Sequence, residues 1–342
     1  MVEFTSVFTD STKLARKIKK SDYLDSGIYP IIDQGQEFVI GYTNDENGLF
    51  KDVPAIIFGD HTRIIKYIDK PFFIGADGVK VLKSKLDEID YKYLFYALRN
   101  INIINTGYNR HFKWLKESKF NLPNLKTQRE ISTTLDSVEN IINLKKKQLS
   151  AYDQLIKSRF VEMFGTPGKN EKGWRLGSIS DIGRCVAGAT PSTKVKEYWE
   201  NGTIPWMSSG EVNKGRIFDT DTKISELGYK NASTKLVPPH TVVLAMAGQG
   251  KTRGTVAITE IELCTNQSIC SIVNNKKIDS EYLLMYLKMQ YEELRNVSNG
   301  AEGRGGLNLK IIGNFPIMIP PIEHQIKFAS IVKQVDKLKF ED

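Results

Sequence analysis

The chain contains its own plan twice, and an internal repeat constrains a fold more than composition does. Pro123-Asn124-Leu125-Lys126-Thr127-Gln128 and Pro320-Pro321-Ile322-Glu323-His324-Gln325 each place a Gln five residues after a Pro, at an offset of 197. At the same offset Ile131, Leu135 and Val138 match Phe328, Val332 and Val335. Upstream, Tyr93-Leu94 matches Tyr282-Leu283 at an offset of 189. Gly59-Asp60-His61-Thr62-Arg63 parallels Gln249-Gly250-Lys251-Thr252-Arg253 at 190. Three short matches in one order, at nearly constant spacing, describe a duplicated unit of about 190 residues.

Both copies are expected to follow one course. Short β-branched and aromatic runs punctuated by Gly, Asn and Pro come first, as in Pro54-Ala55-Ile56-Ile57-Phe58 and Thr241-Val242-Val243-Leu244-Ala245. A short amphipathic helix follows, expected over 90–98 and 279–287, then a strand ending in Pro123 or Pro320, then a long helix. The expected class is α+β: two similar α/β heads with twisted sheets, separated by long helices.

The first long helix carries the plainest pattern. Thr127-Gln128-Arg129-Glu130 reads as a capping box, and Leu135, Ile142, Leu149, Ile156 and Met163 fall at successive sevens. Val138 and Tyr152 fit the companion position, where Lys145 and Arg159 intrude. Gly165-Thr166-Pro167-Gly168 ends the run. A heptad this long calls for a partner helix, although a long core helix of one domain would read similarly. The second arm offers that partner, with Phe328 and Val335, and Ile331 and Leu338, also at sevens. Two arms joined through a head pair antiparallel, as a two-helix coiled coil.

Composition bounds the rest. With 342 residues and 40% hydrophobic content, the chain is long enough for about two domains with real cores. No run approaches the ~20 apolar residues of a membrane helix. Met1-Val2-Glu3-Phe4-Thr5 lacks a signal peptide's basic and apolar regions, and three cysteines make no disulfide framework. A cytoplasmic protein is expected, with no membrane partner. The net charge of +8 leaves room for a surface that binds a polyanion, though many enzymes are as basic.

Catalytic motifs are missing or misplaced. Ala245-Met246-Ala247-Gly248-Gln249-Gly250-Lys251-Thr252 imitates a phosphate-binding loop. Such a loop needs a helix N-terminus behind it, whereas Arg253-Gly254-Thr255-Val256-Ala257-Ile258 reads as a turn and a strand. No motif for a flipped base or for S-adenosylmethionine stands out, and Gly300 to Gly306 reads as a loop. Asp90-Tyr91-Lys92 and Glu117-Ser118-Lys119 imitate nuclease triplets that charged chains contain by chance. His61, His111, His240 and His324 lack metal-ligand spacing. No catalytic residue, metal or cofactor is expected in this chain.

The loops of both heads are rich in groups that pair with base edges or phosphates. In the first head these are Gln34, Gln36, Tyr42, His61, Arg63, Asn109, Arg110, His111 and Lys113. In the second they are Trp206, Ser208, Ser209, Gln249, Lys251, Arg253, Asn266 and Arg304. An ordinary basic loop explains 107–114 about as well, and Asn266 fits a closed turn at least as well as a DNA contact. Two heads of one plan with divergent loops would read an asymmetric, two-part DNA site.

In this order and duplication the chain resembles the specificity subunit of type I restriction–modification systems over essentially its whole length. The resemblance rests on Pro123 with Gln128 and Pro320 with Gln325, each opening a long helix. Further marks are Gly27-Ile28-Tyr29-Pro30-Ile31-Ile32 with Gly41-Tyr42, Gly173-Trp174, Gly202-Thr203-Ile204-Pro205-Trp206, and the strand–Gly–strand run from Gly248 to Ile258. It implies a target recognition domain over 1–126, a central conserved spacer helix over 127–164, a second recognition domain over 165–321 and a short C-terminal spacer helix over 322–342. It further implies a non-catalytic subunit that binds double-stranded DNA and two copies of a methyltransferase subunit. Those copies bring S-adenosylmethionine and methylate adenine N6. Restriction/translocase subunits, where they join, bring ATP and Mg. Gln128, Leu135, Ile142, Leu149, Ile156, Met163, Gln325, Phe328 and Val335 then mark the spacer and docking helices, and Lys145-Lys146-Lys147 is either docking surface or solvated. The second arm reaches only Asp342, which reads as a short member with weaker closure of the rod. Two rival readings are a stand-alone DNA methyltransferase or nuclease with an appended recognition module, and a coiled-coil adaptor that never touches DNA.

Overall fold

The computed structural model describes residues 1–107, 109–248, 250–298 and 306–340. The chain forms two compact units, Met1–Lys145 and Lys146–Asp342. The first is built on a four-stranded antiparallel sheet in the order Phe8–Asp10, Val79–Ser84, Ala55–Gly59, Ile65–Ile68. A second sheet orders Gly41–Thr43, Tyr29–Ile32 and Phe73–Ile74, the last pair parallel. Val2–Glu3 pairs with Lys119–Phe120. Helices Tyr91–Arg99 and Phe112–Lys116 cover the larger sheet, and their buried faces join Phe4, Phe8, Phe58 and Phe120 in one core.

The second unit repeats this wiring. Gly183–Ala187, Ile269–Asn274, Val242–Ala245 and Val256–Thr259 form an antiparallel sheet, extended by a parallel edge strand, Arg216–Ile217. Thr222–Ile224, Ile204–Met207 and Cys264–Thr265 form the small sheet, again with its last pair parallel. Arg175–Ser178 pairs with Pro316–Ile319. The strand at Val256–Thr259 directly after the Lys251-Thr252 turn is why the phosphate-loop pattern is a hairpin. No helix N-terminus follows to gather phosphate oxygens.

The first arm is a helix of 40 residues, Leu125–Phe164, about 60 Å long at ~1.5 Å per residue. It begins ahead of the expected capping box. Asn124 Oδ1 accepts from the Thr127 backbone N–H at 3.0 Å, so Asn124 is the cap and Thr127 lies inside the first turn. The second arm is helix Ile322–Phe340. Within the second unit the arms pack antiparallel. Phe160 and Phe164 meet Phe328, ring centroids 5.3 and 5.7 Å apart, while Lys339 Nζ reaches Asp153 Oδ1 at 2.9 Å.

The repeated Pro and Gln now have a physical reason. Gln128 Nε2 donates to the Pro123 carbonyl at 2.7 Å, and its Oε1 accepts from the Asp90 N–H at 3.1 Å. Gln325 does the same with the Pro320 carbonyl and the Asp279 N–H, both at 2.8 Å. Asp90 and Asp279 in turn cap the helices Tyr91–Arg99 and Ser280–Met289. Each Gln therefore ties the start of its arm to the start of the preceding helix through its own buried side-chain amide. Gln128 and Gln325, expected to mark the spacer and docking helices, are buried side chains at the helix starts rather than exposed docking groups. Gln325→Ala is expected to cost about 2–4 kcal/mol, since it strands the buried Pro320 carbonyl and the half-buried Asp279 N–H. Urea denaturation measures it, and an unchanged midpoint would contradict the clamp.

Candidate nucleic-acid interface

In the first head the β-turn of Gly59–Ile64 is the organising element. The Asp60 carboxylate accepts from the Phe112 N–H at 2.8 Å, and its carbonyl accepts from the His111 N–H at 2.7 Å. His111 and Phe112 are thereby fastened to the turn. Nearby, the Gln34 side chain accepts from the His61 N–H at 3.0 Å, and Thr62 Oγ1 donates to the Gln34 carbonyl at 2.6 Å. Loop 33–37, turn 59–64 and segment 109–113 are thus brought together, which spacing alone did not reveal.

The fates of the expected contact residues differ. Gln36, Asn109, Arg110 and Lys113 are exposed, the last with its ammonium 4.2 Å over the Trp114 ring. Asn109 Nδ2 folds back onto the Thr106 carbonyl at 2.6 Å. Tyr42 is half-buried in its strand, and His61 is half-buried on the turn. Arg63 is held at φ +63° with Nη1 donating to the Ile103 carbonyl at 3.0 Å. One expectation needs correction and another is extended. His111 is fully buried and its Nδ1 donates to the Asp60 carbonyl at 3.0 Å, so it is packing rather than reading. Gln34 is half-buried and spends its amide oxygen on the turn, so it also helps hold the turn in place.

The second head offers the turn of Gly250–Thr255, ahead of strand Val256–Thr259, as the counterpart. Gly250 at φ +69° and Gly254 at φ +85° take conformations that a side chain would strain. Lys251 is exposed and Arg253 half-buried. Two expectations, for Trp206 and Ser208, are corrected here, and Asn266 follows the closed-turn alternative. Trp206 is buried, donates Nε1–H to the Ala189 carbonyl at 3.0 Å and packs edge-on against Trp199. Ser208 caps its 3-10 turn, its N–H and Oγ both donating to Glu211 Oε2. Asn266 closes its own turn by accepting from the Ser268 N–H at 3.0 Å. Ser209, beside them, is half-buried. Gln249 and Arg304 lie outside the described residues, as do Tyr108 and most of the Gly300 to Gly306 run.

Along the first arm Leu135, Ile142 and Leu149 are 36, 47 and 44% exposed, whereas Ile156 is 8% exposed. The heptad positions therefore divide. Ile156, Met163, Phe328 and Val335 belong to the core of the second unit, while the middle of the helix presents uncovered apolar side chains.

Sequence reasoning missed several working residues. Lys66 occupies an inward position of strand Ile65–Ile68, alongside Ile68, and a cation in the buried phase of a strand was the available signal. Burial pushes its ammonium pKa down, with the Asp33 carboxylate opposing. Tyr291 and Arg295 on helix Tyr291–Ser298 carried no sequence signal. Arg216 also went unnoticed, although it binds Glu260, Glu281 and Asp336 at 2.6, 2.8 and 2.8 Å.

Two heads of one topology with divergent turns, on helical arms, define a paired-module recognition protein. The family described as the type I restriction modification DNA specificity domain matches residues 2–151 and again 171–341. The chain belongs to that family, whose members are specificity subunits, recognising DNA without catalysing its modification. It is 24% identical to the specificity subunit of the type I restriction enzyme EcoR124I/EcoR124II of Escherichia coli, across 94% of this chain and 82% of that one. A second relative, the MjaIX specificity subunit of Methanocaldococcus jannaschii, is 34% identical across 50% of this chain and 40% of its own. In fold it is similar to the S subunit of the type I system from M. genitalium, with a TM-score of 0.67, 17% identity, and 99% and 89% of the two chains covered. No helix among the described residues is long and apolar enough to cross a membrane.

Proposed function

We propose that each head reads one half of a split, asymmetric DNA sequence, and that the arms set the distance between the halves. The observation that carries this reading is the duplication itself. The same strand order supports two differently composed sets of turns, so scaffold is shared while contact chemistry differs. Exposed Arg110 and Lys113 in the first head, and Lys251 in the second, supply the charge that phosphate contact needs. Double-stranded DNA is then the ligand, and two copies of a methyltransferase subunit are the partners, docked along the uncovered apolar stretch of the first arm. S-adenosylmethionine belongs to those copies, which methylate adenine N6. ATP and Mg belong to a restriction/translocase subunit where one joins. The cytoplasm is the proposed location.

The test is a genome-wide adenine-methylation map of cells expressing this chain with its methyltransferase, against cells lacking only this chain. A split methylated motif that disappears with the chain is expected, and an unchanged map counts against the proposal. Arg110→Ala and Lys251→Ala should each weaken DNA binding by the complex and reduce its salt slope by about one phosphate contact. Binding that is indifferent to salt would contradict a DNA-reading role.

A further inference from the structure

The candidate reading segments share a construction that their sequences do not. In each head one scaffold cation gathers the backbone carbonyls of the segment from behind. In the first, the buried Lys66 ammonium donates to the Asp33 carbonyl at 2.8 Å and to the Glu37 carbonyl at 2.5 Å. Loop 33–37 is closed over it, with the Asp33 carboxylate 3.7 Å away. In the second, Arg295 Nη1 donates to the Gly250 carbonyl at 2.8 Å and the Arg253 carbonyl at 3.2 Å. Beside it, Tyr291 Oη donates to the Lys251 carbonyl at 2.7 Å and accepts from Arg295 at 3.0 Å.

Lys66 is buried, and the half-buried Arg295 spends Nη1 on three acceptors within its own head. Lys66 is therefore closed off from a phosphate, and Arg295 turns Nη1 toward its own head. What they hold are surface turns with little core of their own, bearing Gln36 in one head and Lys251 in the other. Reading a base edge demands that a side chain sit within hydrogen-bond tolerance, which its supporting groups must enforce. We infer that Lys66 and Arg295 are specificity-determining positioning residues, each for its own half of the DNA site. The inference rests on the proposed reading of the heads as the two DNA-reading modules.

The test uses the full chain in complex with its methyltransferase. Methyl transfer is measured on duplexes carrying the intact split site, and on duplexes with one base changed in one half. Lys66→Met is expected to lower discrimination in one half about tenfold, the size of one lost base contact, and to leave the other half unchanged. Arg295→Met is expected to do the reverse. Variants that still co-elute with the methyltransferase but alter both halves equally, or neither, overturn the inference. Where Lys66→Met gives no complex, Lys66→Arg keeps the charge but replaces a compact ammonium with a planar fork. A smaller loss confined to the same half supports the positioning role, and an equal loss in both overturns it. A wild-type complex that methylates no split site overturns the functional reading itself. That result is distinct from a methylating wild type with unaltered variants, which removes only the positioning roles.

Discussion

Replacing Phe160 with Ala is expected to destabilise the second unit by about 3–5 kcal/mol, the range for a large aromatic truncated in a full core. Phe160 is fully buried at the crossing of the two arms and the helix Ser280–Met289. Its ring lies 5.0 Å from that of Phe164 and 5.3 Å from those of Tyr282 and Phe328. The Tyr282 hydroxyl is already committed to the Met318 carbonyl at 2.9 Å and the neighbouring rings are apolar, so the space gains no good water site and the four-ring contact is lost. The melting temperature of this unit should fall by roughly 10 °C or more. Trp174, Trp199 and Trp206 lie in the second unit and Trp114 in the first, so a Trp114→Phe background lets intrinsic fluorescence report the second unit's unfolding. A shift of a degree or two would mean that the arms do not close on Phe160.

Replacing Arg216 with Met is the second large effect, about 2–4 kcal/mol at neutral pH, below the full cost of stripping a buried ion pair because the site is partly wet. The edge strand Arg216–Ile217 delivers this guanidinium to carboxylates from three places: Glu260, Glu281 on the helix Ser280–Met289, and Asp336 on the second arm. Lys339 extends the network to Asp153 on the first arm. Without Arg216, three acids face one another. Burial already pushes the Glu281 carboxyl above its usual range, with Arg216 the main opposing influence. Losing the cation raises it further, so the folded variant takes up protons more readily than its unfolded chain. Stability of the variant then rises as pH falls, and its deficit against the wild type narrows from about pH 7.5 to about pH 5. Denaturant midpoints at both values check this, and a deficit that widens on acidification would refute the network.

The arm helices, the duplication and the absence of a phosphate-binding helix were legible in the sequence, because each depends on local pattern. Heptads, a proline five residues before a glutamine, and a glycine turn between two β-branched runs all act within a few residues. The role of Gln128 and Gln325 was not legible. The motif was visible, but its partners are the amides of Asp90 and Asp279, tens of residues upstream. Likewise the aromatic and polar character of His111, Trp206 and Ser208 suggested contact with DNA, yet burial and capping claim all three. A single residue's chemistry does not say which side of a turn it faces.

What the sequence determined by itself was therefore the kind of molecule: two copies of a mixed head, each feeding a long helix, with basic and polar turns and no catalytic set. Periodicity and spacing are enough for that, since they set which residues share a face. Only the tertiary structure decided which residues reach the surface of those turns and which hold them from behind. Lys66 meets Asp33 and Glu37, and Arg295 meets Gly250 and Arg253, across chain separations that no local pattern records. Hydrogen bonds between such distant groups form only once the sheets have closed around them.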